Sequence, residues 1–228
     1  MKAQTLLIDA DDTLWENNIY FEQAIEGFID FLDHSHLSRD QIRAVIDEIE
    51  LANASVNGYG SQGFAKNLRQ GYEHLVERKI SDDDLAAVIG FGQQILSQDI
   101  RLIDGVAATL ERLSIRHHLV IFTKGNQDEQ QMKIDRSGVD MHFIDAIVVP
   151  EKDGSAYRSA LETLGWSAEE SWMVGNSPKS DINPAMSAGM NAVFIPHDHT
   201  WRLEHQEIIM GRGRLLQLER FADMLDHF

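Results

Sequence analysis

The sequence predicts an α/β protein: a doubly wound parallel sheet with an all-helical segment set into it near the N-terminus. Two observations predict the sheet. Leu6-Leu7-Ile8, Leu119-Val120-Ile121-Phe122, Ala146-Ile147-Val148-Val149, Ser171-Trp172-Met173-Val174 and Ala192-Val193-Phe194-Ile195 are short apolar runs without polar alternation, the pattern of strands covered on both faces. From Arg101 onward such runs alternate with helical stretches, and helices between strands make parallel neighbours. The third observation predicts the insert. Between residues 16 and 100 no convincing strand occurs, only apolar stripes at helical spacing.

Taken in order, the stripes of the insert are Tyr20, Ala24, Ile25, Phe28, Phe31 and Leu32; Ile42, Val45, Ile46 and Ile49; Leu68, Tyr72, Leu75 and Val76; and Leu85, Val88, Ile89 and Ile95. The expected division is therefore 1–15 with 101–228 as the sheet-bearing core and 16–100 as the helical segment. In the core, Asp104 is suited to cap a helix through about Arg116, and the next strand ends at Thr123. Asn126 can cap a helix that stops near Gly138. Pro150 closes the following strand, and a helix from about Ser155 to Leu164 ends at Gly165. The strand at Val174 enters Gly175-Asn176, another helix ends near Gly189, and the tail from Arg214 to Phe228 reads as a short strand plus a packing helix.

Composition bounds the function. The 228 residues can bury a full core. With 20 basic against 37 acidic residues the formal net charge is -17, a surface that repels nucleic-acid backbones and anionic membranes and so excludes both as general partners. Anionic substrates are repelled at long range too, so a phosphate site needs local positive charge or a metal. Zero cysteines exclude disulfides and thiolate chemistry. No apolar run reaches membrane-spanning length, and Met1-Lys2-Ala3-Gln4 leads directly into the first strand, so a cytoplasmic location is expected.

The chemistry gathers at the strand ends. The first apolar run stops in Asp9, Asp11 and Asp12, and like charges this close are costly unless a cation or a proton-transfer role compensates. Thr123, Lys124 and Gly125 follow the second strand, Lys152 lies beyond the third, and Asn176 and Asp181 follow the fourth. In a parallel sheet all of these meet on one rim, where ligands of such folds bind. They supply what a phosphoryl group needs: a nucleophile, a proton donor, donors for its oxygens and a cation against its charge.

The order Asp9-Ala10-Asp11-Asp12-Thr13, Phe122-Thr123, Lys152 and Gly175-Asn176-Ser177-Pro178-Lys179-Ser180-Asp181 resembles the haloacid dehalogenase-like superfamily, with the insert placed as in members that carry an all-helical cap. The resemblance implies a Rossmann-like core with an inserted all-helical cap domain. It implies a magnesium-dependent phosphatase acting on a small phosphorylated metabolite, monomeric or homodimeric. Asp9 would be the nucleophile forming an aspartyl-phosphate, and Asp11 the general acid and then base. Thr123 would bond the phosphoryl oxygens, with Lys124 and Gly125 beside it, and Lys152 would hold Asp9 and the phosphoryl group. Magnesium would be held by Asp9, the Asp11 carbonyl, Asn176 and Asp181. Asp12 stands where the family most often has glycine, and Asn176 where an aspartate is common. The same fold also hosts 2-haloacid dehalogenases, which usually lack an acid at the position of Asp11, and phosphomutases; a non-catalytic protein binding a phosphorylated ligand is the alternative from another class.

Two motifs are set aside on context. Gly58-Tyr59-Gly60-Ser61-Gln62-Gly63 spells GxGxxG but lies between helices, not after a strand, so it is read as a cap loop in which Tyr59, Gln62 and Lys66 are candidates for substrate contact. His197-Asp198-His199, with His205, carries zinc-type ligands but reads as a solvated loop.

Overall fold

The computed structural model describes residues 3–228, apart from the side chains of Ser55 and Asn57. Met1 and Lys2, read above as leading into the first strand, lie outside the described residues. The chain forms two compact units, one built from the residues up to Asn18 together with Ile100–Phe228, the other from Ile19–Asp99.

The second unit holds α1 (Asn18–Leu32), α2 (Arg39–Asn57), α3 (Ser61–Leu75) and α4 (Asp82–Gln93), the last continued by a 3-10 turn. The four stripes close on one core around Ile25, Phe28, Ile46, Leu68, Tyr72 and Val88. Local signals start two of the helices. The Ser38 hydroxyl accepts the Gln41 N–H while the Gln41 side chain accepts the Ser38 N–H, a reciprocal cap for α2. Ser81 caps α4, whose first turn carries Asp82, Asp83 and Asp84 against the positive end of the helix. Gly58 and Gly60, at φ 69° and 101°, make the turn between α2 and α3, which is the service the GxGxxG glycines perform.

The first unit is a six-stranded, wholly parallel sheet of β1 (Thr5–Ile8), β2 (His118–Lys124), β3 (Asp145–Val149), β4 (Ser171–Gly175), β5 (Asn191–Phe194) and β6 (Leu215–Gln217), in the order β3-β2-β1-β4-β5-β6. Helices α5 (Val106–Ser114), α6 (Gln127–Ser137), α7 (Gly154–Leu164) and α8 (Asn183–Ser187) link the strands. Successive side chains of β1 serve opposite faces: Leu6 and Ile8 pack with Leu110, Leu113 and Ile134 of α5 and α6, and Leu7 with Tyr157, Leu161 and Ala185 of α7 and α8. Both faces are covered, which is why the strand sequences are continuously apolar. The chain leaves β1 toward β2 and β3, then returns to its other side at β4, so the order reverses between β1 and β4.

Three local expectations are corrected. Asp104 does not cap α5; Gly105 occupies the cap position at φ 84°, without a side-chain bond, and makes the turn itself. The segment ending near Gly189 opens with one turn of π-helix, Pro178–Ile182, before α8. The tail ends in a 3-10 helix, Phe221–Asp226, in place of an α-helix.

His117 packs near the C-terminal Phe228 ring. Its Nδ1 accepts the Gln4 N–H at 3.0 Å, so the ring proton sits on Nε2, which has no hydrogen-bond partner. Burial, helped by Arg116, pushes this imidazole below its usual range. A lowered folded value means that its contribution is present above the unfolded value near 6.5 and is lost as pH falls through the folded value. His117→Gln, whose amide oxygen can still accept the Gln4 N–H, should therefore lose less thermal stability than wild type between pH 7.5 and 5.5. Equal losses in parallel melts would place the acid sensitivity elsewhere.

Candidate active site

The site begins where β1 runs out. The Asp9 N–H still donates to the Val174 carbonyl of β4 at 2.9 Å, and the chain then turns sharply, with Leu14 N–H on Ala10 O and Asp12 N–H on Trp15 O. Leu14 and Trp15, both wholly buried, pin this turn. Asp12 takes the left-handed conformation, φ 60°, which accounts for an aspartate where glycine is common, since aspartate is among the few other residues that tolerate it. Its Oδ1 accepts the N–H groups of Asn17 and Asn18 at 2.9 and 3.1 Å. Burial raises the Asp12 carboxyl to about 8 although those amides pull it down. The acidic run is thus divided: Asp12 turns into its own backbone, leaving Asp9 and Asp11 as the carboxylates of the rim.

Lys152, just beyond β3, brings the strands' groups together. Its buried ammonium donates to Asp9 Oδ1 at 2.5 Å and to Asp181 Oδ1 at 2.7 Å. Asp181 comes from the π-turn after β4, and its Oδ2 accepts the Ser177 N–H at 2.9 Å. Gly175 leaves room for this: a Cβ there would lie 2.2 Å from Asp181 Oδ2. Burial and the neighbouring Asp181 raise Asp9 to about 7 against the pull of Lys152. Burial lowers Lys152, but Asp181 and Asp9 outweigh it and the ammonium is held above its usual value.

Asn176 also reaches Asp9. The Thr13 hydroxyl lies 3.1 Å from Asp9 Oδ2 and 3.2 Å from Asn176 Oδ1, donating toward both. Asn176 Nδ2 donates to Thr200 Oγ1 at 2.8 Å, and Thr200 gives its own hydroxyl proton to the His197 carbonyl. The Thr200 hydroxyl can therefore only accept from residue 176, which demands an amide N–H there. The same network turns the amide oxygen toward the Thr13 hydroxyl, which also bonds Asp9.

Thr123 is buried near the end of β2, opposite Val148. Lys124, expected to meet a substrate anion, donates to Glu204 Oε1 at 2.7 Å and Ser180 Oγ at 3.0 Å. Burial opposes ionisation of Glu204, but Lys124 and the Ser177 and Ser180 hydroxyls hold it down at about 2. The Gly125 N–H is committed to the Val149 carbonyl at 3.0 Å, so what this residue contributes is space. Asp11 is bonded by Trp15 Nε1, Gln130 Nε2 and Lys133 Nζ. Tyr59 and Gln62 lie in the other unit, at the start of α3, and Lys66 is exposed on that helix. His197 does not pair with His199 as a zinc ligand; it accepts the His199 N–H on Nδ1 and faces Glu16 at 3.5 Å and Asp12 at 3.9 Å. Asp12, Glu16 and His197 bring ligand-type atoms within 4.8 Å of one another. Sequence reasoning missed Gln130, Lys133, Thr200 and Glu204. The spacing of Gln130 and Lys133 on one face of α6 was a readable signal for that pair; the other two had none.

Residues 3–189 match the haloacid dehalogenase-like hydrolase family. The chain belongs to that family. Among relatives of this hydrolase, the glyceraldehyde 3-phosphate phosphatase of Pyrococcus abyssi is 26% identical over 209 residues, spanning 85% of this chain and 82% of the relative. The phosphoserine phosphatase of Thermus thermophilus is 32% identical over 82 residues, 34% of this chain and 33% of the relative. The crystal structure of a haloacid dehalogenase-like family hydrolase from Xanthomonas campestris superposes with a TM-score of 0.85 at 26% identity, covering 99% of this chain and 90% of that one. Among the described residues no helix is long and apolar enough to cross a membrane.

The contact between Gly175 and Asp181 gives a direct test of the charge cluster. Gly175→Ala forces a methyl group into the Asp181 carboxylate and displaces it from Lys152, so a stability loss of about 1–3 kcal/mol is expected, the usual cost of overpacking. Urea unfolding measures it; an unchanged midpoint would mean that Asp181 moves aside without penalty.

Proposed function

We propose that this hydrolase cleaves a small phosphomonoester in two steps through an aspartyl-phosphate on Asp9, with magnesium as its cofactor. The observation that carries this reading is the Asp9 carboxylate at the reversal of strand order, bound by Lys152 at 2.5 Å, with a second carboxylate two residues on. The phosphatase names of the curated relatives support the substrate class. Donor chemistry supports the metal: Asp9 and Asp181 are two buried carboxylates sharing one ammonium, and the Asn176 amide oxygen is linked to Asp9 through the Thr13 hydroxyl, an all-oxygen set with excess negative charge that suits a hard cation. Asp9, the Asp11 main-chain carbonyl, Asn176 and Asp181 would hold it. When bound it neutralises phosphoryl charge.

The chain's own groups account for the rest. An Asp9 oxygen attacks phosphorus as the bond to the leaving oxygen breaks, and Asp11 gives that oxygen its proton. Water then attacks the acyl-phosphate, Asp11 takes back a proton, and phosphate leaves with Asp9 regenerated. Lys152 orients Asp9 and, with Thr123, meets the phosphoryl oxygens. Lys124 acts through Glu204 and Ser180, and Gly125 through the space it leaves. The substrate is read as a small phosphorylated metabolite of the cytoplasm.

Asp9→Asn should abolish phosphate release from p-nitrophenyl phosphate with magnesium present, because an amide cannot form the acyl-phosphate, while Lys152 keeps Asp181 as its partner and the fold survives. Retention of more than about a tenth of the wild-type rate sinks the assignment, since losing a covalent nucleophile costs far more. Halide release from 2-chloropropionate exceeding phosphate release would favour the dehalogenase reading. The metal has its own test. Asn176→Asp puts a carboxylate against the acceptor side of Thr200, so it should lower the melting temperature without magnesium and gain more than wild type when magnesium is added. Equal magnesium shifts in the two proteins would move the cation away from residue 176.

A further inference from the structure

Lys133 and Gln130 take no part in the steps above, yet they are buried and both donate to one carboxylate. Lys133 Nζ lies 3.0 and 2.9 Å from the two oxygens of Asp11 and donates to Asn17 Oδ1 at 2.8 Å. Its side chain is only 9% exposed. Gln130 Nε2 divides its hydrogens between Asp11 Oδ2 at 2.9 Å and the Lys124 carbonyl at 2.8 Å. Its own Oε1 is buried with no hydrogen-bond partner among the described residues. An orphaned buried oxygen is a cost that a purely structural amide avoids, so the orientation of this group is fixed by its donor end. The backbone accommodates it: a Cβ on Gly125 would stand 3.0 Å from Gln130 Nε2. Trp15 Nε1 completes the set at 2.8 Å from Asp11 Oδ1.

We propose that Lys133 and Gln130 are positioning residues for the proposed reaction: from adjacent turns of α6 they fix the direction of the Asp11 carboxyl group, and so set how well it serves the leaving oxygen. This rests on the reading of Asp11 as acid and base. A carboxyl group on a turn at a strand end has a free side-chain torsion unless neighbouring groups restrain it. Proton transfer requires the donor within hydrogen-bond reach of one particular oxygen. Two donors three residues apart on one helix, together with the indole, leave the carboxylate one orientation.

The experiment compares kcat/KM for an alkyl phosphate, glycerol phosphate, with that for p-nitrophenyl phosphate. The alkoxide needs its proton as it leaves and the nitrophenolate does not, and kcat/KM reports the step in which it leaves. Lys133→Met should lower kcat/KM for the alkyl ester by about tenfold or more and for the nitrophenyl ester by less than about threefold, a fraction of what a general acid supplies. Lys133→Arg, which can still bridge both oxygens, should recover most of the loss. In an Asp11→Asn background Lys133→Met should cost nothing further, because it acts only through Asp11. Equal losses on both esters, or a full further loss in the double variant, overturn the proposal. If Lys133→Met does not fold, Gln130→Leu removes the second donor with the ion pair intact and is held to the same split. A wild-type protein that releases phosphate from neither ester overturns the phosphatase reading itself, a result separate from any behaviour of Lys133.

Discussion

The buried ammonium of Lys152 is the interaction on which the rest of the site depends. Asp9 and Asp181 reach the rim from β1 and from the turn after β4, neighbouring strands, and without a cation between them two buried carboxylates repel. Removing the ammonium from such a buried cluster typically costs about 3–5 kcal/mol, because the carboxylates are left uncompensated. The surrounding structure is shaped to keep this ammonium in place. Gly175 has no side chain where the Asp181 carboxylate packs, Ser177 turns its N–H to the free oxygen of Asp181, and the Phe122 ring lies 5.6 Å from the charge.

A second cation-carboxylate pair, Lys124 with Glu204, closes the other side of the π-turn through the Ser177 and Ser180 hydroxyls. A third joins Lys133 to Asp11. Lys152, Lys124 and Lys133 are thus each matched to a carboxylate within the first unit. In a protein of formal net charge -17 this makes a divalent cation the natural counterweight to a phosphoryl group. Around Asn176 the constraint is one of hydrogen-bond direction. Thr200 has spent its proton on a carbonyl, so the residue facing it must donate, and asparagine can where aspartate cannot.

Much of the fold was legible because its signals are local. Apolar runs such as Leu119–Phe122 mark strands covered on both faces, and Asn126, Gly138 and Gly165 mark helix ends by the chemistry of their own side chains or lack of them. Where two local signals competed, the sequence misled: Asp104 has the right side chain for a cap, but the neighbouring Gly105 supplies the turn that decides the helix start. In the site, strand ends were enough to bring Asp9, Lys152 and Asp181 together. They were not enough to say which donors are already spoken for. The commitment of Lys124 to Glu204, or of Gln130 to Asp11, joins residues 80 and 119 positions apart, and no spacing rule reaches that far.

The position of β1 also has a consequence for the order in which the protein is made. It is synthesised before both of its neighbours, β2 on one side and β4 on the other, and Asp9 meets its lysine only across 143 residues of chain. At translation rates of about 5–20 residues per second, roughly 7–30 s separate the emergence of the two. Until β2 emerges, the apolar run of β1 and the carboxylates that follow it sit side by side on an unpaired strand. The exposed tract Leu6-Leu7-Ile8 has the composition of a self-associating strand, and the carboxylates that follow it act as its gatekeepers. The clustered charge that the finished site must neutralise keeps the nascent chain soluble until its partners arrive.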